Sequence, residues 1–213
     1  MPVSRTRIKF CGIRRAADAA AAIDLGVDAL GFVMVPASRR YLAPDRAAAL
    51  RARLPPLVTV VALFMDADPA TVQHAIDALQ PDLLQFHGSE DAGFCAGFGL
   101  PYVKAVAMRG DGDLRRVARQ HRQAGALLLD GHAPGEMGGS GQAFDWSTVV
   151  RGVARPLILA GGLTPGNVGR GIRALRPYAV DVSSGIESRP GVKDAAKMRA
   201  FVEAVRRADR HRR

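Results

Sequence analysis

The chain alternates between two patterns. Short, unbroken apolar runs give way to longer stretches, rich in alanine and arginine, with helical spacing. The pair recurs eight times. "IKFCGI" precedes "RRAADAAAAIDLG", "ALGFV" precedes "APDRAAALRARL", and "LVTVVALF" precedes "DPATVQHAIDALQ". "DLLQF" precedes "SEDAGFCAGFG", and "YVKAVAM" precedes "GDLRRVARQHRQAG". "ALLLD" leads through a glycine-rich loop to "FDWSTVVRG", "LILA" precedes "TPGNVGRGIRAL", and "YAVDV" precedes "VKDAAKMRAFVEAVRRADR". Each unit is roughly 25 to 27 residues long, a size that suits one strand, one helix and their loops. The apolar runs lack polar–apolar alternation. They therefore predict strands covered on both faces, as in a parallel sheet flanked by helices.

Punctuation supports the reading. Asp68 before Pro69, and Thr164 before Pro165, each predict a capping side chain followed by proline in the first helical turn. Gly26 predicts the end of the first helix. Eight such units predict an α/β fold, a (β/α)₈ TIM barrel. No linker-like stretch divides the chain, so residues 1–213 read as a single domain. An open doubly wound sheet is the alternative. It often carries a glycine fingerprint after its first strand, and "CGIRRA" has none.

Composition narrows the class. Hydrophobic residues make up 48% of the 213, enough for a large core. No apolar run is long enough to span a bilayer, and "MPVSRTRIKF" lacks the apolar stretch of a signal peptide. A cytoplasmic protein is expected. The net charge is +10, and five arginines in "RRADRHRR", residues 206–213, equal half of it. They read as a solvated basic tail, dispensable for turnover beyond Ala208. Aromatics are only 6% and do not interleave with basic residues. Neither a nucleic-acid nor a membrane partner is expected. The chain is expected to be a monomer or a homodimer.

There are two cysteines, too few for a disulfide scaffold in a chain this large, and neither has a second ligand at metal-binding spacing. Cys95, in "AGFCAGF", reads as a small packed residue on a helix. Cys11 remains open between a reactive thiol and a packed side chain. The five histidines are scattered, and no metal site is expected. His74, His121 and His211 fall on predicted helices and read as surface groups.

In a (β/α)₈ barrel the chemistry sits at the C-terminal ends of the strands. Cys11 ends the first predicted strand. Ser38, Arg39 and Arg40 follow the second, and His87 follows the fourth. Asp130 ends the sixth. Gly161 and Gly162 follow the seventh, Asp181 lies in the eighth, and Ser184 and Gly185 follow it. Any one of these reads as a cap or loop residue; together they gather at one mouth. "AGGLTPGN" and "DVSSGIES" follow adjacent strands seven and eight, where loops often bind phosphate through backbone N–H groups. The loop "GHAPGEMGGSGQAFDW" is long enough to be a lid, and Gly139 and Gly141 within it leave room for a substrate beside the backbone. A thiol, a carboxylate and a phosphate cradle suit proton transfer on a sugar phosphate.

These motifs, in this order and spacing, resemble the phosphoribosylanthranilate isomerase family over nearly the whole chain. "IKFCGI", "GVDALGFVMVPASRRYLAPDRA", "QFHG", "LLLD…GGSGQAFDW", "LAGGLTPGNV" and "AVDVSSGIE…PGVKD" carry the resemblance. It implies a cofactor-free Amadori rearrangement of N-(5-phosphoribosyl)anthranilate in tryptophan biosynthesis. By resemblance the general base falls on Cys11 and the general acid on Asp130. The arginine facing the anthranilate carboxylate falls on Arg40, and the phosphate-binding backbone on Gly161, Gly162, Ser184 and Gly185. His87, Asp181, Gly139 and Gly141 complete the expected substrate contacts. Phe10 and Phe86 replace the usual aliphatic residues, and Gln142 replaces a common lysine or arginine. A related barrel isomerase of histidine biosynthesis is expected to carry aspartate where Cys11 stands. A non-catalytic phosphate-ligand-binding protein would have no need of the Cys11/Asp130 pair. One question stays open. A thiol with a pKa of about 8.5 is a weak base at neutral pH, and no histidine lies near Cys11 in the chain to activate it.

Overall fold

A computed structural model describes residues 5–109, 113–131, 144–146, 149 and 152–210. The elements run β1 (Arg7–Cys11), α1 (Ala16–Asp24), β2 (Ala29–Val33), α2 (Pro44–Arg51), β3 (Thr59–Phe64) and α3 (Pro69–Leu79). They continue with β4 (Leu83–Phe86), α4 (Ala92–Ala96), β5 (Tyr102–Ala107), α5 (Leu114–Gln120), β6 (Ala126–Asp130) and β7 (Leu157–Leu159). α6 (Val168–Leu175), β8 (Ala179–Val182), a 3₁₀ turn (Ser184–Ile186), the hairpin β9 (Glu187–Arg189) and β10 (Val192–Lys193), and α7 (Ala195–Arg210) complete the chain. β1 to β8 form a closed barrel in sequence order. Parallel pairing of β1 with β8 closes it, with Lys9 opposite Asp181.

Side-chain parity explains the unbroken apolar runs. Successive residues of a strand point alternately toward the helices and into the barrel. Phe10, Phe32, Phe64, Phe86, Leu127 and Leu129 are fully buried in the layer shared with helical Val72, Ile172 and Phe201. Val103, Ala105, Ala126, Leu128, Ile158, Ala160 and Ala179 form a separate cluster. These residues are the opposite parity and fill the barrel interior. Cys11, Val33 and Leu63 form a third, small cluster at the strands' C-terminal ends. Both faces are thus apolar over much of their length, which erases the period-two signal.

The unusual Phe10 and Phe86 both belong to the outer layer. Phe10 meets the α7 residue Phe201 edge-on at 6.1 Å. Phe86 sits among Phe64, Phe94, Phe98 and Tyr102 at 5.9, 5.8, 6.1 and 6.1 Å. Their bulk fills the sheet–helix layer, away from the barrel mouth.

The predicted caps fare unequally. Asp68 accepts the Thr71 N–H and Pro69 stands in the first turn, as expected. Gly26 takes φ +72° just past α1. Thr164 and Pro165 do not open α6, which starts at Val168 with Asn167 as its N-cap. The Asn167 carboxamide is used instead to fold the preceding loop. It accepts the Thr164 N–H at 2.8 Å and donates to the Gly162 carbonyl at 2.8 Å. A helix expected after β6, over residues 144–152, falls in part on residues outside the described set.

Two further expectations are corrected. His121 is 5% exposed and stacks edge-on against Tyr102, whose hydroxyl lies 3.4 Å from Nδ1. It caps α5 where the chain turns inward, so it is a core residue; His74 is exposed as expected, and His211 lies outside the described residues. Arg206, Arg207 and Arg210 are exposed, as a solvated basic segment requires, and sit on the last turns of α7. Asp209, within the segment expected to be dispensable, accepts the Thr6 N–H and hydroxyl at 2.7 Å each. Residues 211–213 lie outside the described residues.

Candidate active site

A cavity open at its outer end lies at the C-terminal mouth of the barrel. Cys11, Arg40, His87, Asp130, Gly161, Gly162, Asp181 and Ser184 all line it. These residues come from strand ends and βα loops far apart in sequence, and only barrel closure brings them together. Gly139 and Gly141, the expected lid contacts, lie outside the described residues, as does Gln142. Gly185 does not line the cavity. A Cβ there would sit 1.8 Å from the Leu163 carbonyl oxygen, and one on Gly161 would sit 2.1 Å from the Gly131 nitrogen. Both glycines are needed because neighbouring βα loops touch through their backbones. Gly185 follows β8, as expected, and its missing side chain leaves room for the Leu163 carbonyl.

Asp130 ends β6 and is 6% exposed. His87 Nε2 lies 3.0 Å from Asp130 Oδ2, and the Gln85 amide nitrogen lies 3.1 Å from His87 Nδ1. An amide nitrogen only donates, so Nδ1 accepts and Nε2 carries the hydrogen. His87 therefore donates to Asp130 Oδ2. Gln85 lies on β4 and His87 directly follows that strand, two residues on, so both side chains turn into the barrel.

Cys11 ends β1 and is buried at the cavity wall. Lys9, two residues before it, is also turned inward. Its ammonium is 3.0 Å from Asp181 Oδ2, with both side chains 7% exposed. Burial works against the Lys9 charge, but Asp181 and Cys11 outweigh it and raise the lysine's pKa. Burial pushes the Cys11 thiol up, and Lys9 and then Lys193 pull it back. Asp181 Oδ1 is buried and has no hydrogen-bond partner among the described residues. Because Asp181 lines the cavity, that oxygen can accept from a ligand hydroxyl.

Arg40 is already engaged. Its Nε and Nη2 donate to Glu187 Oε1 and Oε2, each at 2.8 Å. Glu187 also accepts from Lys193 Nζ at 2.9 Å. Burial opposes the Glu187 charge, yet Arg40 and Lys193 hold its pKa below the usual carboxylate range. Lys193 is itself pushed down by burial, against the pull of Glu187. It donates to the Ser183 carbonyl at 3.1 Å, and the Ser183 hydroxyl donates to the Cys11 carbonyl at 3.0 Å. The β9–β10 hairpin thus ties the arginine loop to the end of β1.

Sequence reasoning missed Lys9, Gln85, Glu187 and Lys193. Lys9 and Gln85 carried a usable signal, a polar residue inside an apolar strand run two positions before a candidate. Glu187 and Lys193 flank a readable turn signature, Pro190-Gly191 with Gly191 at φ +79°, but nothing in the sequence ties that hairpin to Arg40 or to the barrel mouth. Among the described residues, no three His, Cys, Asp or Glu side chains are grouped to hold a metal ion.

Known proteins share this architecture. The family described as N-(5'-phosphoribosyl)anthranilate (PRA) isomerase matches residues 8–204. An N-(5'-phosphoribosyl)anthranilate isomerase of Stenotrophomonas maltophilia (strain R551-3) is 51% identical over 207 residues, 96% of this chain and 95% of that protein. A crystal structure of phosphoribosyl anthranilate isomerase in complex with reduced 1-(o-carboxyphenylamino)-1-deoxyribulose 5-phosphate superposes with a TM-score of 0.84. It is 35% identical and is matched over 94% of this chain and 98% of its own. Monomers generated from the dimeric Thermotoga maritima isomerase superpose with a TM-score of 0.83 at 33% identity, over 94% of this chain and 98% of theirs. With the family's fold closed around a thiol, a carboxylate and two glycine loops, the chain belongs to the N-(5'-phosphoribosyl)anthranilate isomerase family of tryptophan biosynthesis.

Proposed function

We propose that Cys11 and Asp130 are the proton-transfer pair that isomerises N-(5-phosphoribosyl)anthranilate to 1-(2-carboxyphenylamino)-1-deoxyribulose 5-phosphate. The observation that carries this reading is the shared cavity, which has both groups on its wall with Gly161, Gly162 and Ser184 at its edge. Asp130 gives a proton to the ribose ring oxygen, and the C1–O bond opens to an iminium. Cys11, as thiolate, removes the C2 proton, and the electrons of that bond neutralise the iminium nitrogen as an enolamine. Tautomerisation gives the ketone. One proton enters at oxygen and one leaves at C2, so the step needs no redox partner. Because Oδ2 of Asp130 accepts from His87, the delivered proton belongs on Oδ1.

The remaining contacts follow from geometry. Glu187 takes two of the five Arg40 N–H donors, leaving others for the anthranilate carboxylate. Asp181 Oδ1 suits a ribose hydroxyl. The backbone after β7 and β8 suits the phosphate. We read the chain as a cytoplasmic monomer or homodimer with this small substrate as its partner. Nucleic acid is disfavoured because Arg5, Arg15 and Arg51 are paired with Asp28, Asp18 and Asp82.

The test mixes purified protein with freshly generated phosphoribosylanthranilate and follows the loss of anthranilate-type fluorescence. Turnover is expected, and Cys11→Ala and Asp130→Asn should each lower kcat by about 10² to 10⁴. A folded protein without turnover overturns the proposal.

A further inference from the structure

The thiol of Cys11 must ionise in a site that burial makes hostile to a thiolate. Within the barrel one cation lies against it. Lys9 and Cys11 are two apart on β1, so both point inward. On the neighbouring strand β2, Gly31 pairs with Cys11 in register. A Cβ on Gly31 would lie 2.9 Å from Cys11 Sγ and 3.0 Å from Lys9 Nζ. The ammonium and the thiol thus converge on the space that a side chain at residue 31 would occupy. On the other side, Asp181 of β8 holds the ammonium at 3.0 Å. Lys9 has a four-carbon stem buried along the barrel interior and its charge fixed between a carboxylate and a sulfur.

We infer that Lys9 is a positioning residue for the reaction, holding a positive charge against the Cys11 thiol, with Asp181 fixing where that charge sits. The inference rests on the reading of Cys11 as the base. Its physical basis is simple. A thiolate beside a buried ammonium is stabilised by an attraction that the neutral thiol lacks. Asp181 keeps Lys9 charged in spite of burial, but its own negative charge opposes a thiolate. The carboxylate therefore both places the cation and limits its effect. Other charges facing Cys11 are Lys193 from β10, which favours the thiolate, and Arg40 from the loop after β2. Lys193 and Arg40 share one carboxylate, Glu187, at 2.9 and 2.8 Å. Lys9 is the largest favourable influence on the thiol.

The experiment reads the thiol itself. Iodoacetamide alkylation of Cys11 is followed against pH, with the modified residue located by mass spectrometry. Cys95 does not interfere, because burial pushes its thiol up to about 12. Lys9→Met keeps the stem and removes the charge; the alkylation midpoint should rise by about one pH unit or more. Asp181→Asn removes the opposing charge, so its midpoint should fall. Opposite movements distinguish an electrostatic role from a packing defect, which would not give opposite signs. In Lys9→Met, kcat near neutral pH should drop about tenfold and recover as pH rises, as expected if one pH unit of thiolate is lost. A folded Lys9→Met with an unmoved midpoint, or two variants shifting the same way, overturns the inference. If Lys9→Met does not fold, Lys9→Met/Asp181→Asn removes both charges together, and its midpoint should still exceed that of the parent. A midpoint at or below the parent's overturns the inference equally. Loss of the base assignment would appear elsewhere, as full turnover in Cys11→Ala, and would leave the thiol titration intact.

Discussion

Replacing Glu187 by glutamine removes one charge and almost no volume. In the parent, that carboxylate receives Arg40 Nε and Nη2 at 2.8 Å each and Lys193 Nζ at 2.9 Å. The side chains involved are 5%, 14% and 0% exposed for Glu187, Arg40 and Lys193, so water cannot take over. Glu187→Gln leaves two buried cations facing a neutral amide, and the amide must turn its NH₂ toward one of the donors. Breaking a buried ion pair by removing one partner costs about 3 to 5 kcal/mol. Urea unfolding should therefore show a loss of that size. Arg40 would lose both bonds that orient its fork, so KM for phosphoribosylanthranilate should rise about tenfold, equivalent to about 1.4 kcal/mol. The fall in kcat should be smaller, because the fork faces the anthranilate carboxylate and not C2. Glu187→Gln/Lys193→Met removes one stranded cation and should recover part of the lost stability. Parent-like unfolding and KM in the single variant would refute the reasoning, as would a double variant whose penalties simply add. The clamp also has a pH signature. Its carboxyl pKa is lower folded than unfolded, so its stabilisation is complete above the unfolded value of about 4.3 and is lost as pH falls through the folded one.

Other consequences are as direct. Burial raises the Cys11 pKa, so kcat/KM should climb as pH rises above neutrality; a flat profile there would argue against a thiolate base. Gly185→Ala would place a methyl 1.8 Å from the Leu163 carbonyl oxygen. The loops after β7 and β8 must then separate, which should cost about 1 to 3 kcal/mol in urea unfolding and weaken competitive inhibition by inorganic phosphate. Burial lowers the His121 pKa, so the unfolded chain binds its proton first as pH falls. Parent stability should decline as pH drops below about 6.5, and His121→Gln should lack that part of the decline when urea midpoints are compared across pH.

The relation of sequence to site follows side-chain parity. Cys11, His87, Asp130 and Asp181 were recognisable because each interrupts or ends an apolar run, and in a barrel such positions face the mouth. Lys9 and Gln85 obey the same rule one pleat deeper, and their spacing of two from Cys11 and His87 was the sign of the face they take. Thr164 and Pro165 made a plausible helix start because capping residues look alike in sequence. Asn167 prevailed because its carboxamide could bond both the Thr164 N–H and the Gly162 carbonyl, closing the loop before the helix began.

By itself the sequence determined the repeating strand–helix unit, the barrel it implies, and the ends of strands where chemistry could sit. These depend on local spacing, and local spacing is written in order along the chain. Tertiary structure alone decided the electrostatics. Residues 9 and 181, or 40 and 187, meet only after the barrel closes and the hairpin folds back, and no pattern in either neighbourhood announces the partner. The same closure decided that His121 is buried and that Asp209 binds Thr6. Charge becomes consequential only where water is excluded, and which charges lose their water is a property of the closed fold.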